Sequence, residues 1–174
     1  MARDRPYTVG MPKRVDLSAF ECSVARTLDI VGDKWTLLIL RDAFYGVSRF
    51  EDFTRDLGIA RNVLTTRLTT LVDHGVLERV PYETHPPRHE YRLTEKGRAL
   101  FPVLLTMMHW GDTWQPEDGD VPVTIVHRDC GATTHAVTVC AACAQPMGPG
   151  DVRVDPLPPV VEEWRAARRA AESA

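Results

Sequence analysis

The chain has 174 residues, 44% hydrophobic and 26% charged, with a formal net charge of -3. That composition is that of a folded globular protein and excludes a disordered or collagen-like chain. No stretch approaches the roughly 18 uninterrupted apolar residues of a membrane span, and the start MARDRPYTVGMPKR lacks the apolar core of a secretory signal, so a cytoplasmic protein without membrane contact is expected. Residues 1–115 hold 16 Lys/Arg against 15 Asp/Glu, while residues 116–174 hold 5 against 9, so the acidity lies in the tail. Near neutrality of the larger part does not argue against nucleic-acid binding, because what counts is whether basic groups gather on one surface with acids kept off it.

In chain order, residues 1–16 are polar with two prolines and are expected to form an arm. A main domain is expected over 17–115, a small module over 116–159 and a terminal helix over 160–174. Val24, Leu28 and Val31 fall at helical spacing and predict one buried helix face, ended by Gly32. Asp33 is placed to cap a second helix, KWTLLILRDAFYG, apolar on most sides and closed by Gly46. Ser48 is expected to cap a short third helix with Phe50, Phe53 and Leu57 as its buried stripe and Gly58 as its turn.

A fourth helix follows at once. Its Leu64, Leu68, Leu71 and Val72 share a face, Arg61, Asn62, Thr65, Thr66 and Thr69 occupy the rest, and Gly75 stops it. From Gly58 to Val72 there are two arginines and no acid. Two helices joined by a three-residue turn containing glycine form the helix-turn-helix pattern, in which the second helix enters the major groove. VLERVPYE and HEYRLT read as strands around the turn THPPR, which adds a hairpin wing. Thr94 then caps a long helix, EKGRALFPVLLTMMHWGDTW, with Pro102 in its early part.

The chemistry of these residues fits double-stranded DNA. Arg61 and Arg67 offer phosphate attraction or bidentate guanine contacts, Asn62 can read adenine, and the hydroxyls and methyls of Thr65 and Thr66 suit phosphate and thymine. Arg49, opening the third helix, can favour a phosphate there, and Arg88 at the wing tip can reach the adjacent minor groove. The plain alternative is a solvated amphipathic helix.

CSVARTLDIVGDKWTLLILRDAFYGVSRFEDF, GIARNVLTTRLTTLVDHGVLERVPY and PPRHEYRLTEKGRALFPVLLTMMHWGDTW together resemble, in order and spacing, the HxlR-type winged-helix transcription regulators, relatives of the MarR group. The resemblance covers residues 20–114. It implies a homodimer, built through the first and last helices, that binds a pseudo-palindromic operator, with a ligand or redox signal as a possible input and the fourth helix as the reader. One departure is Ala60, where the family commonly has a serine cap. Cys22 matches a cysteine that senses oxidants or electrophiles in some members. A free cysteine is ordinarily a small buried filler, and that reading is preferred here, with sensing as the alternative.

The tail carries HRDCG followed by CAAC, that is His127, Cys130, Cys140 and Cys143, the first pair following an expected strand at 121–126 and the second pair one at 134–139. Paired ligands separated by two intervening residues on two turns are what a four-coordinate structural zinc needs, so zinc is the expected cofactor, with free thiols as the alternative. The fold class expected is therefore mainly α with a β-hairpin wing, a winged helix-turn-helix, plus a small zinc-ribbon-like β module and a terminal helix. The competing functions are a thiol-disulfide redox protein using the C-x2-C pair, which lacks the βαβ surroundings such a motif needs, and a protein-interaction winged helix without DNA binding.

Overall fold

A computed structural model describes residues 17, 20–115 and 121–172. The expected arm over 1–16 and most of the stretch QPEDGD lie outside the described residues. The chain forms two compact units, Met1–Trp114 and Gln115–Ala174.

The first unit begins with helices α1 (Ser23–Val31), α2 (Lys34–Phe44), α3 (Phe50–Leu57) and α4 (Arg61–Asp73). A hairpin of β1 (Leu77–Thr84) and β2 (Pro87–Leu93) follows, antiparallel from Leu77↔Leu93 to Thr84↔Pro87. The expected winged helix-turn-helix architecture is thus present. Asp33 caps α2 as its sequence position predicts, its carboxylate accepting from the Trp35 N–H at 2.9 Å. The core gathers Ile39 and Leu40 of α2, Phe53 of α3, Leu64, Leu68 and Leu71 of α4, and Leu77 of β1. Each such side chain, withdrawn from water, contributes about 1.5–3 kcal/mol. Gly58, at φ 59, supplies the left-handed step between α3 and α4 that a side chain disfavours.

Three local expectations are corrected. Ser48 does not cap α3: the cap position is Arg49, and the Ser48 hydroxyl donates instead to Glu90 of β2 at 3.3 Å. The long helix after Thr94 is divided into α5 (Glu95–Arg98) and α6 (Phe101–Trp114), which puts Pro102 in the first turn of α6, where its missing N–H costs nothing. On α1 only Val31 is buried, whereas Val24 and Leu28 are 65% and 49% exposed, so this apolar face is left open rather than buried as expected.

Two ties steady the ends of α4 and the wing. Thr94 caps α5, accepting from the Gly97 N–H, and its hydroxyl also reaches the Gly75 carbonyl at 2.7 Å, while Lys96 Nζ donates to the His74 carbonyl at 2.7 Å. These donors answer carbonyls around the carboxyl end of α4, where the helix leaves acceptors unmatched. At the other side the Tyr91 N–H donates to the Ser48 carbonyl at 2.7 Å, joining the wing to the residues that precede α3.

The second unit holds two short strands, β3 (Ile125–Val126) and β4 (Thr133–Thr134), paired antiparallel, and helix α7 (Pro159–Glu172). Of the expected strands, 121–126 is reduced to Ile125–Val126, and 134–139 meets β4 only at Thr134, with Val139 in an isolated bridge to Pro146. No residue from 121 to 172 is buried, so no core extends the ladder.

Candidate nucleic-acid interface

Helix α4 is split by its own periodicity. Leu64, Leu68 and Leu71 point into the core, and Arg61, Asn62, Thr65, Thr66 and Thr69 stand exposed on the other side. The threonine hydroxyls of Thr65 and Thr66 donate to the carbonyls of Arg61 and Asn62 at 2.8 and 3.0 Å. This leaves their methyls and oxygen lone pairs for an outside partner such as a thymine methyl or an exocyclic amine. The side-chain amide of Asn62 has no hydrogen bond to any described residue and keeps both donor and acceptor for a base edge.

Arg61 is held without being consumed. Its guanidinium lies 4.7 Å from the centre of the Phe50 ring and 3.3 Å from the Glu51 carboxylate, both ion-pair partners being about two-thirds exposed at 66% and 69%. An ion pair this exposed is worth little, so a phosphate can replace Glu51 at small cost.

Arg67 is placed differently from the other candidates. Its Nη2 meets Asp33 at 2.7 Å across the α4–α2 contact, with the arginine side chain only 25% exposed, and its Nε is buried without a partner. The guanidinium is therefore engaged in fixing α4 against the cap of α2 rather than presented to solvent. Arg49 is exposed at the start of α3, its guanidinium 4.5 Å from the Tyr82 ring. Glu51 and Asp52 occupy the first turn of α3, and their charge competes with any anion at that helix end. Arg88 is exposed beside the wing turn and 3.3 Å from Glu83; a hydrogen bond with the Tyr82 hydroxyl, then the Glu83 charge, raises its pKa further. Tyr82 thus supports two basic groups, Arg49 at the start of α3 and Arg88 on the wing. Sequence reasoning passed over it, because one aromatic on a strand gives no periodic signal.

Cys22 is exposed at the cap of α1, not a buried filler. No strict cap hydrogen bond forms, yet the amides of Ala25 and Val24, followed by the charge of Arg26, hold its thiol below the ordinary value. In the second unit His127 Nδ1 lies 3.3 Å from Cys130 Sγ, and the Cys140 thiol lies against that of Cys143. Among the described residues no three histidine, cysteine or carboxylate side chains are gathered at a single point. No described helix is long and apolar enough to cross a membrane.

Comparison with known proteins agrees with this geometry. Residues 30–119 match the HxlR-like helix-turn-helix family. An uncharacterised HTH-type transcriptional regulator of Mycobacterium tuberculosis is 45% identical over 136 residues, 78% of this chain and 86% of that protein. The crystal structure of PA1607, assigned as a transcription factor, is 43% identical with a TM-score of 0.72, over 80% of this chain and 97% of that one. The redox regulator HypR in its oxidised form is 37% identical with a TM-score of 0.51, over 55% of this chain and 100% of that one. The chain belongs to the HxlR-like helix-turn-helix family and is a transcriptional regulator with a helix-turn-helix DNA-binding domain, not an enzyme.

Proposed function

We propose that the protein acts in the cytoplasm as a homodimer on a pseudo-palindromic duplex operator, with α4 in the major groove and the wing beside it. The observation that carries this reading is the exposed face of α4, on which Arg61, Asn62, Thr65 and Thr66 stand together without an acid from Gly58 to Val72. Arg61 supplies attraction to phosphate or guanine, Asn62 reads a base edge, and the threonines meet methyls or exocyclic amines. Arg88 and Arg49 attract the flanking backbone from the wing and the start of α3. Arg67 sets the angle of α4 through Asp33.

The dimer contact is assigned to α1 and α6. Val24 and Leu28 on the first, with Met107, Trp110 and Trp114 on the second, are large apolar side chains left 48–67% exposed in one protomer. Apolar surface of this kind on two helices of one unit suits burial against a second copy. An oxidant or electrophile acting at Cys22, at the start of α1, is the input this arrangement favours, since an exposed thiol of lowered pKa is the reactive kind.

Duplexes recovered by selection from a random pool, followed by fluorescence anisotropy, test the reading. Arg61→Ala and Asn62→Ala are expected to weaken binding about tenfold or more each, as loss of a base or phosphate contact does. Affinity should also fall steeply with salt through counterion release. Unchanged affinity in both variants would remove α4 as the reader and leave the interaction-module alternative.

A further inference from the structure

The second unit contains the same turn twice. In the segment His127–Ala132 the Gly131 N–H donates to the His127 carbonyl at 2.8 Å, and the His127 N–H donates to the Ala132 carbonyl at 2.9 Å. In the segment Cys140–Gln145 the Ala144 N–H donates to the Cys140 carbonyl at 2.8 Å, and the Cys140 N–H donates to the Gln145 carbonyl at 2.8 Å. The fifth residue of both turns is left-handed, Gly131 at φ 69 and Ala144 at φ 58. Ala144 is the only non-glycine residue with positive φ among the described residues, and its Cβ is crowded against the following carbonyl in that conformation. A turn adopted by alanine despite that cost, and matched bond for bond elsewhere, is a repeated device rather than a loose loop.

Each turn brings its first and fourth side chains together. His127 Nδ1 and Cys130 Sγ are 3.3 Å apart in one. In the other the sulfur of Cys140 faces the amides of Ala142 and Cys143 and the Cys143 thiol. All four cysteines of the chain are unbridged. The unit around these turns has no buried residue from 121 to 172, so its fold lacks the apolar support that a chain of this size ordinarily needs in the absence of a metal or disulfide.

We propose that the two turns close on a single zinc ion held by His127, Cys130, Cys140 and Cys143, and that this metal fixes the C-terminal unit. One imidazole and three thiolates fill a tetrahedral shell, so the site is structural and holds no open position for water. Up to three thiol protons leave as the metal enters. Among the described residues no three of these groups are gathered at one point, so the ion would have to draw the two turns together. The inference does not depend on the DNA-binding reading.

Full-length protein, purified under reducing conditions with zinc supplied, gives the test by metal analysis, thiol labelling and cobalt substitution. About one zinc per chain is expected, with Cys22 alkylating quickly and the other three cysteines protected until a strong chelator is added. Cobalt in place of zinc should show the intense visible bands of a tetrahedral thiolate site, shifted by His127→Ala and lost in Cys140→Ser. Protein that retains no zinc, that alkylates all four thiols at one rate, or that gives only the pale spectrum of six-coordinate cobalt overturns the proposal. So does a metal-free preparation with an oxidised Cys140–Cys143 pair. The wild-type measurements decide the matter even where a variant fails to fold.

Discussion

The amino end of α4 offers a perturbation whose two effects separate stability from recognition. Ala60 is the exposed cap residue there, extended at φ -62 and ψ 135, and no side chain answers the first amides of the helix. The first turn also lacks an acid. Ala60→Ser supplies an acceptor for the amide of Asn62 or Val63, and a cap of this type is worth about 1 kcal/mol. That corresponds to about a fivefold rise in the folding equilibrium constant, or a shift of about 0.3–1 M in the urea midpoint. Ala60→Asp makes the same cap and adds a favourable charge at the positive helix end, so its stability gain is equal or larger. On DNA the two part. Serine leaves affinity within about twofold, whereas a carboxylate about 4 Å from a phosphate costs about 1 kcal/mol or more, a loss of about five- to tenfold that shrinks as salt is added. Urea unfolding at fixed protein concentration and anisotropy titrations at low and high salt read the two quantities. An aspartate variant that is stabilised yet binds the operator as tightly as the serine variant would show that this helix end does not meet phosphate, and the interface reasoning would fall with it.

Two further expectations rest on single pairs. Arg67→Met should destabilise the first unit by about 1.5–3 kcal/mol, the range of a charge-assisted hydrogen bond, and, because the pair sets the angle of α4, weaken DNA binding by the folded fraction less than Arg61→Ala does; a double-mutant cycle with Asp33→Asn that shows no coupling would refute the pairing. Cys22 should alkylate along a pH profile whose midpoint lies below that of an ordinary thiol, because the amides of Ala25 and Val24 and the charge of Arg26 favour the thiolate, which appears as pH rises. Arg26→Ala should move that midpoint up, and a midpoint at or above the ordinary value would contradict the assignment.

What the sequence made legible follows from the range of the interactions involved. The spacing of Leu64, Leu68 and Leu71, the caps Asp33 and Thr94, and the left-handed Gly58 are local features, and each stands in the structure as its neighbours dictate. Ser48 was misread because its hydroxyl is claimed by Glu90, 42 residues away. The setting of Arg67 was hidden for the same reason, its partner Asp33 lying 34 residues earlier. On an isolated helix Arg67 looks as available as Arg61, and only packing separates an arginine that braces from one that is offered. Val24 and Leu28 were recognised as an apolar face, but periodicity cannot tell whether the surface that covers such a face belongs to the same protomer.

The wing is fastened at its Glu90–Tyr91 step to Ser48, just ahead of α3, while the far end of α4 is fastened through Lys96 and Thr94. The helix assigned as reader and the wing are thus braced together, like one stylus. In the proposed dimer, a signal that lowers operator affinity then has little purchase on the shape of the tip. It would instead alter how far apart the two tips of that dimer are held, which makes the setting of the calipers, and not the letters each point can read, the quantity under control.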